Sequence, residues 1–171
     1  MGTIYMPVTN MLDGAWLPHT GQVAIPGFSS WCVSSLLITN GRIRFPAEGF
    51  QLKVAGDATI IGSSGRLELG GDQFFRSALF PASQFIYTGS TGPTMTVGGN
   101  LTLTNQGSLA VYAGATNELE EHGAAVRVNG EVYLDVGSWV YLNSQPTNGG
   151  SPIFTVENLT IVTNAGFNAD G

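Results

Sequence analysis

The segment TMTVGGNLTLTNQGSLAVY (residues 94–112) is followed, after a loop, by AVRVNGEVYLDVGSWVYL (residues 125–142), and the second segment repeats the first. Each copy contains three short runs in which apolar and polar residues alternate, and Gly or Asn separates the runs. Alternation with a period of two predicts half-buried β-strands. Three strands that recur about 30 residues later predict the stacked coils of a solenoid. The equivalent positions are Val97 and Val128, Leu101 and Val132, Leu103 and Leu134, and the pairs Gly107–Ser108 and Gly137–Ser138.

The composition agrees with an all-β chain of one domain. At 171 residues a single domain is the default, and a hydrophobic share of 43% is enough for a core. Charged residues make up only 11%, against about 25% in an average domain, and the 24 Gly residues are about twice the usual share. Few charges, many Gly residues and alternating Thr and Val favour stacked strands with tight corners over helices.

The charge and the single cysteine exclude several classes of partner and site. The net charge is −6 and the isoelectric point is about 4.6. The six Lys and Arg residues are scattered and no apolar run is long enough to span a bilayer, so we expect no nucleic acid and no membrane insertion. Cys32 stands alone, which rules out an intramolecular disulfide and a cysteine-based metal site, and its place between Trp31 and Val33 predicts a small core residue. No cofactor is predicted.

The predicted fold is a parallel β-solenoid of four to five coils that forms one domain over residues 1–171. Residues 1–32 are predicted to be an N-terminal cap with a strand at residues 22–25, because an uncovered solenoid end recruits other chains. Residues 33–171 would form the coils, with an insertion at residues 72–92 that begins with a helical turn. The core would consist of stacked ladders, Val54/Val97/Val128/Val156 and Leu101/Val132/Leu159. The main alternative is an antiparallel sandwich, since turn signals about every 8–12 residues suit both folds.

Small and polar residues mark the predicted corners. The units are closed by Gly65, Gly107, Gly137 and Gly166, for which we expect the positive φ that Gly allows. The units are opened by Asp57, Asn100, Glu131 and Asn158, whose side chains can bond the backbone of the turn. Asn40–Gly41 resembles such a corner but lies too close to Gly56 to complete a coil. It therefore belongs either to a different face or to a cap coil.

The pattern V-x-G-N-L-T-L-T-N-x-G-S-L, from Val97 to Leu109, resembles the right-handed parallel β-helix repeats of bacterial exported proteins. These include adhesin and autotransporter passenger regions and the pectate-lyase-like superfamily. The resemblance covers residues 33–168 and implies a single-stranded right-handed β-helix, extracellular or at the cell surface, as part of a longer exported protein. The clusters of Asp, or of paired Arg and Lys, that mark the lyases and hydrolases of this group are not found in the sequence. The chain therefore looks more like the non-enzymatic members.

Aromatic residues in adjacent coils are the candidates for ligand binding. If Leu109 and Val111 point into the core, alternation places Tyr112 outside. The alternation of the next coil can place Trp139 and Tyr141 on either side. Outside, Tyr112, Trp139 and Tyr141 would form an aromatic strip on which sugar rings can stack. Inside, Trp139 and Tyr141 would belong to the core or to a C-terminal plug.

Glu118, Glu120 and Glu121, beside His122, form the main acidic cluster of the sequence. Ca²⁺ takes six to eight oxygen ligands and favours clustered carboxylates. Neighbouring residues of an extended chain point to opposite faces, however, and cannot all reach one ion. We therefore interpret the segment as a solvated loop and predict no metal site.

Two catalytic constellations can be drawn from the charged residues. Lys53, Asp57, Arg66 and Glu68 could serve a lyase, in which a base removes a proton from a uronic acid. Asp57, Glu68 and Glu131 could supply the two carboxylates of a glycosidase. Alternation points Lys53 outward as a surface lysine, and nothing marks two carboxylates as a pair. No catalytic residue is predicted.

Together these features predict a non-enzymatic extracellular module of structural or adhesive function. A polysaccharide bound along its flank, or like chains stacked end to end, are the predicted partners. The alternatives are a polysaccharide lyase or glycoside hydrolase built on a β-helix, and a self-assembling solenoid subunit.

Overall fold

The computed structural model describes residues 2–5, 15–16, 21–24, 28–45, 47–70, 91–115, 123–145 and 149–169. These residues form sixteen β-strands and no helix. All strand pairs among them are parallel, so the all-β prediction is confirmed and the antiparallel sandwich is wrong. The predicted helical turn of the insertion and the cluster Glu118, Glu120 and Glu121 lie outside the described residues. The bounds of the cap and of the insertion stay predictions.

The strands fall into three sheets. One sheet is the pair β1 (Gly2–Tyr5) and β3 (Gly21–Ala24), of which β3 is the strand predicted at residues 22–25, displaced by one. The nine-stranded sheet contains β2 (Ala15–Trp16), β4 (Ser30–Val33), β5 (Leu36–Thr39), β7 (Gln51–Val54), β8 (Ala58–Ile61), β10 (Thr94–Val97), β11 (Leu101–Thr104), β13 (Ala124–Leu134) and β15 (Pro152–Ile161). The five-stranded sheet contains β6 (Arg42–Phe45), β9 (Arg66–Leu69), β12 (Ser108–Tyr112), β14 (Trp139–Asn143) and β16 (Gly166–Asn168).

The same unit of three strand positions occurs five times in the described residues. We number these units as repeats 1 to 5, which span residues 30–45, 51–69, 94–112, 124–143 and 152–168. The first two positions of each repeat lie in the nine-stranded sheet and the third lies in the five-stranded sheet. In repeats 4 and 5 the first two positions join into the long strands β13 and β15. The predicted equivalences of the apolar residues hold, because Val97 pairs with Val128, Leu101 with Val132 and Leu103 with Leu134.

One hydrophobic core is shared by the nine-stranded and five-stranded sheets. The predicted core residues Val97, Leu101, Leu103, Val128, Val132 and Leu134 are all buried, which confirms the inward ladders of repeats 3 and 4. Next to repeats 1 and 2 the core contains an aromatic cluster, with Phe45 and Phe50 stacked at a centroid distance of 4.5 Å and Phe28 beside both rings. Trp31 also packs on Phe45, with the centroids 5.5 Å apart.

The ladder prediction fails at the last repeat. Leu159 pairs with Val132 in the expected register, but 48% of it is exposed, and Val156 is only half-buried. A residue inside the stack is covered by equivalent residues on two sides. Within the described residues β15 pairs only with β13, so Leu159 is covered on one side. The prediction for Cys32 is also wrong: Trp31 is buried and Cys32 is exposed, because the alternation of β4 has the opposite phase.

A small residue occupies the corner before the five-stranded sheet in every described repeat, and these residues are Gly41, Gly65, Gly107, Ser138 and Ala165. The predicted equivalence of Gly137 and Gly166 with Gly107 is wrong by one residue, in opposite directions. The pairing of Ser108 with Trp139, and of Trp139 with Gly166, fixes the correct alignment. Asn40–Gly41 is the corner equivalent to Gly65, because the Arg66 amide donates to the Gly41 carbonyl. Gly56 lies at a different corner, between β7 and β8, so the stretch from Gly41 to Gly56 is shorter than a full repeat.

The glycines at this corner are required for a different reason from the one predicted. Positive φ occurs at Gly137, but not at Gly65, Gly107 or Gly166. In repeats 2 and 3 the left-handed residues come earlier in the turn, at Gly62 and at Asn105–Gln106. A Cβ at Gly107 would collide with the carbonyl oxygen of Ile60, and one at Gly65 would collide with that of Ile61. Close approach of backbone, rather than φ, therefore selects Gly at these two positions.

A second corner lies between the first and second strand positions of each repeat. The polar side chains there were predicted to bond the backbone of their own turn, but they join neighbouring repeats instead. The backbone amide of Asn100 donates to Oδ1 of Asp57 over 2.8 Å, and the backbone amide of Glu131 donates to the side-chain Oδ1 of Asn100 over 2.8 Å. The Thr160 hydroxyl then donates to Oε1 of Glu131 over 2.5 Å. In this corner ladder the first two bonds satisfy backbone N–H groups, one at the turn between β10 and β11 and one at the register shift within β13, and the third joins two side chains.

Candidate functional site

The outer face of the five-stranded sheet carries the predicted aromatic residues. Val140 is buried in the core, so Trp139 and Tyr141 on either side of it project outward. Leu109 and Val111 are buried in the same way on β12. The orientation that the sequence left open for Trp139 and Tyr141 is therefore the outward one, and both side chains are half-buried there. Their role in ligand binding stays a prediction.

Three arginines and one glutamate lie on the same outer face, on β9 and β6, which are two and three strands away from the aromatic residues of β14. Register places Arg42, Arg66, Ser108 and Trp139 in one row across β6, β9, β12 and β14. It places Arg44, Glu68, Ala110 and Tyr141 in the next row. We define the basic–aromatic face as Arg42, Arg44, Arg66, Glu68, Tyr112, Trp139 and Tyr141.

Glu68 is the centre of this face. Its side chain is 0% exposed, and Nη2 of Arg42 donates to both of its oxygens, over 2.7 Å to Oε1 and 3.0 Å to Oε2. Nε of Arg66 donates to Oε1 over 2.6 Å, and Nε of Arg44 lies 3.5 Å from Oε2. A carboxylate can be buried only when it is paired and hydrogen-bonded, and these guanidinium groups supply the pairing.

The three arginines outnumber the carboxylate that they surround, so the face carries a net charge of +2 within a chain of net charge −6. The Arg42 and Arg66 side chains are 36% and 32% exposed, whereas that of Arg44 is 11% exposed. Burial lowers the pKa of the Arg44 guanidinium, and the nearby Glu68 carboxylate and Tyr112 phenol oppose this shift. Arg42 and Arg66 are therefore the cations that a ligand can reach, and Arg44 supports them from beneath.

The aromatic part of the face is joined to the basic part by Arg66. Its guanidinium carbon lies 5.2 Å from the centre of the Tyr141 ring, within the range of a cation–π contact. Ala110 lies in register between Glu68 and Tyr141, and this small residue leaves space for the Arg66 side chain to cross β12. The Trp139 ring reaches the next strand, where a Cβ at Gly166 would lie 3.3 Å from it. Small residues on β12 and β16 thus make room for the two rings.

The residues of the possible lyase constellation are not brought together. Lys53 is exposed on the nine-stranded sheet, and Asp57 accepts the backbone bond from Asn100 at a corner. Arg66 and Glu68 belong to the five-stranded sheet and bind each other. For the glycosidase alternative, Glu131 and Asp57 are both acceptors in the corner ladder, while Glu68 is buried among arginines.

The remaining candidates concern metal ions and membranes. In the part of the chain that the structure describes, no three His, Cys, Asp or Glu side chains come together in a way that could hold a metal ion. Glu118, Glu120 and Glu121 are not included in that part. Nor do the described residues form a helix with the length and apolar character needed to cross a bilayer.

Arg42 and Arg44 were not predicted as site residues, although the sequence contains a signal for them. Arg42-Ile-Arg-Phe and Arg66-Leu-Glu-Leu have the same alternation, so their charged residues must share a face once the strands pair in register. The pairing could not be inferred, because the corner at Gly41 was not aligned with the one at Gly65.

No protein-family model matches this chain, no curated protein matches it in sequence, and no solved structure matches it. The resemblance to right-handed parallel β-helix repeats of exported proteins stays a prediction. The chemistry of the basic–aromatic face must therefore be judged from its own side chains.

Proposed function

We propose that this protein is a non-enzymatic extracellular module, built as a right-handed parallel β-helix, that binds an acidic polysaccharide through the basic–aromatic face. The parallel, in-register repeats support the β-helix, since each repeat adds two strand positions to the nine-stranded sheet and one strand to the five-stranded sheet. The observation that carries the binding proposal is the group of three arginines around one buried Glu68, beside the rings of Tyr141 and Trp139.

An acidic sugar polymer fits both parts of this face. Arg42 and Arg66 hold partly exposed guanidinium groups, which pair with carboxylates through two parallel hydrogen bonds. The faces of aromatic rings attract the slightly positive C–H groups of a sugar ring. The chain as a whole is acidic, so a partner with a dense negative charge, such as nucleic acid, would be repelled elsewhere. A polymer with widely spaced carboxylates avoids that repulsion.

The direction of the bound polymer follows from the order of the strands. Arg42 and Arg66 lie on neighbouring strands, about 4.8 Å apart, and Tyr141 lies two strands beyond Arg66. A ligand that contacts both the cations and the rings must cross the strands and run along the direction in which the repeats stack. An extended glycan suits this path, because each sugar unit meets a different strand.

The same geometry argues against catalysis on this face. The five strands of the sheet contain one carboxylate, Glu68, and glycoside hydrolysis uses two. Both oxygens of Glu68 are engaged by guanidinium groups, and its side chain is not exposed to solvent. It is therefore unable to exchange a proton with a bound sugar.

The test is calorimetric titration with oligogalacturonate and with its methyl ester, which has the same sugar chain but no charge. We expect the acid to bind and the ester to bind at least tenfold more weakly, since losing a charge-assisted hydrogen bond costs about 1.5 kcal/mol or more. Tyr141→Ala should weaken acid binding about tenfold, because a ring contact contributes about 1–1.5 kcal/mol.

Tyr133→Ala is the matched control, because Tyr133 is a half-buried tyrosine on the outer face of β13 in the other sheet. Equal binding of acid and ester, or equal effects of the two tyrosine variants, would contradict the proposal. Release of reducing ends or of unsaturated uronate from the oligomer would support the lyase or hydrolase alternative instead.

A second candidate function is end-to-end self-assembly, favoured by the exposed apolar residues of repeat 5. Leu159 and Ile161 are 48% and 44% exposed on β15, a strand that pairs on one side only among the described residues. Such an edge can pair with a strand of a second copy. In sedimentation velocity, wild type should associate as its concentration rises and Leu159→Lys should remain monomeric. Val136→Lys is the control, since Val136 is 52% exposed at a corner, and a wild type that stays monomeric would eliminate this function.

A further inference from the structure

A groove of about 450 Å³ lies on the outer face of the nine-stranded sheet, whereas the basic–aromatic face belongs to the five-stranded sheet. It is lined by residues of two adjacent strands, β10 and β13, which are Thr94, Met95, Thr96, Ala125, Arg127 and Asn129. We propose that this groove is a second binding site, which takes the carboxylate of an acidic sugar between Lys53 and Arg127. This second site is additional to the function proposed for the basic–aromatic face, because its residues lie on the nine-stranded sheet and not on the five-stranded sheet.

The groove exists because short side chains lie between long ones. Val54, Val97 and Val128 are buried in the core, so the residues that precede them on each strand point outward. Register places Lys53, Thr96 and Arg127 in one row across β7, β10 and β13. The short Thr96 is thus flanked by two long cations: Arg127 lines the groove, and Lys53 lies in register on β7, the strand on the other side of β10.

The charges of the row favour an anion. Lys53 and Arg127 are both exposed, and neither forms an ion pair with another residue of the described ranges. Their Cα atoms are separated by two strand spacings, or about 10 Å. Side chains of this length can both reach an anion above Thr96, and its hydroxyl can donate to the same group. An anion held there gains from both cations and reduces their mutual repulsion.

The other lining groups suit a sugar. Thr94 is half-buried and Asn129 is exposed, and both carry groups that can donate and accept hydrogen bonds to ring hydroxyls. Two cations are too few to hold a nucleic acid on a chain of net charge −6. A uronate-type residue combines one carboxylate with several hydroxyls and matches both the charge and the polarity of the groove.

The position of the groove gives the protein two separate sites. The inward residues of both sheets belong to one core, so the outer faces that carry the groove and the basic–aromatic face point away from it in different directions. One straight oligomer cannot occupy both. A single chain that binds at both faces would join two polysaccharide strands.

The experiment is titration calorimetry of the whole chain with oligogalacturonate at low ionic strength. Wild type should bind two oligomers. The double variant Lys53→Gln/Arg127→Gln should bind one, and Arg127→Lys, which keeps the charge, should still bind two. The double variant Arg42→Gln/Tyr141→Ala should also bind one, and that remaining event should disappear when the four changes are combined. Circular dichroism checks that each variant keeps its strand content.

The outcomes separate the two sites. If Lys53→Gln/Arg127→Gln leaves both binding events unchanged, or Arg42→Gln/Tyr141→Ala removes all binding, the groove is not a site. If Lys53→Gln/Arg127→Gln removes all binding, the groove stands and the function proposed for the basic–aromatic face is wrong. A wild type that binds no oligomer would overturn both.

Discussion

The buried carboxylate of Glu68 gives the sharpest test of the energetics of this fold. Glu68→Gln keeps the shape of the side chain and removes its charge, so three guanidinium groups lose their counterion at once. Removing one partner of a buried ion pair typically costs about 3–5 kcal/mol, because the other charge stays buried without compensation. Arg42 and Arg66 are about a third exposed and can turn to water, whereas Arg44 is only 11% exposed.

We therefore expect a loss near the lower end of that range, about 3 kcal/mol in the free energy of unfolding. For a chain of this size the loss corresponds to a fall of about 6–12 °C in the melting temperature. Urea unfolding followed by circular dichroism measures the first quantity, and calorimetry measures the second. Glu157→Gln is the matched control, because Glu157 is exposed on β15 and its change should stay within about 0.5 kcal/mol.

The refuting results are specific. Adding Arg44→Met to the Glu68→Gln variant removes the cation that is most buried, so part of the lost stability should return. If Glu68→Gln lowers the free energy of unfolding by less than about 1 kcal/mol, the Glu68 carboxylate of the wild type is accessible to water, which contradicts its burial. A second mutation that adds to the loss would show that Arg44 contributes mainly by packing its stem.

Two further predictions concern the stack itself. Leu103→Ala should lower the free energy of unfolding by about 2–5 kcal/mol, because Leu103 is fully buried. Leu159→Ala should lower it by less than about 1 kcal/mol, because Leu159 is exposed. Urea unfolding measures both losses, and equal losses would contradict the difference in burial. Asn100→Ala should cost about 0.5–1.5 kcal/mol, because it removes the acceptor of the Glu131 backbone amide in an exposed hydrogen bond. Hydrogen exchange should then accelerate at Glu131 and not at Thr96, and unchanged exchange at Glu131 would show that water replaces the bond.

The inward half of the fold could be predicted from the sequence because burial constrains it repeatedly. Val97 and Val128, or Leu103 and Leu134, must be apolar at the same position of successive repeats, since each covers the next. The prediction failed at Leu159, where the apolar pattern continues but no described strand beyond β15 covers the side chain. A residue pattern records which side of a strand faces the core, but it does not record where the stack of described strands ends.

The corners were predicted less well, because backbone geometry allows several solutions there. Turns of different length precede the five-stranded sheet, and a small residue at the bend is satisfied by Gly107, Ser138 or Ala165 alike. Because glycine was aligned with glycine, the predicted corner residues Gly137 and Gly166 lie one position away from the true ones, Ser138 and Ala165. The same uncertainty hid the pairing of β6 with β9, on which the recognition of the arginine group depends.

The outward positions carry a different kind of information, because neither the core nor the ladder of backbone hydrogen bonds dictates them. Along β8, β11, β13 and β15 one outward row is Thr59, Thr102, Tyr133 and Thr160, which are residues that suit a pleated, half-exposed surface. On β6 and β9 the equivalent rows hold three arginines and a glutamate, in a chain with only 11% charged residues. Burying Glu68 among guanidinium groups gives little net stability compared with an apolar group of the same size. Stability alone thus offers no reason for this departure from the repeat, whereas the proposed binding of an acidic ligand by Arg42 and Arg66 would supply one.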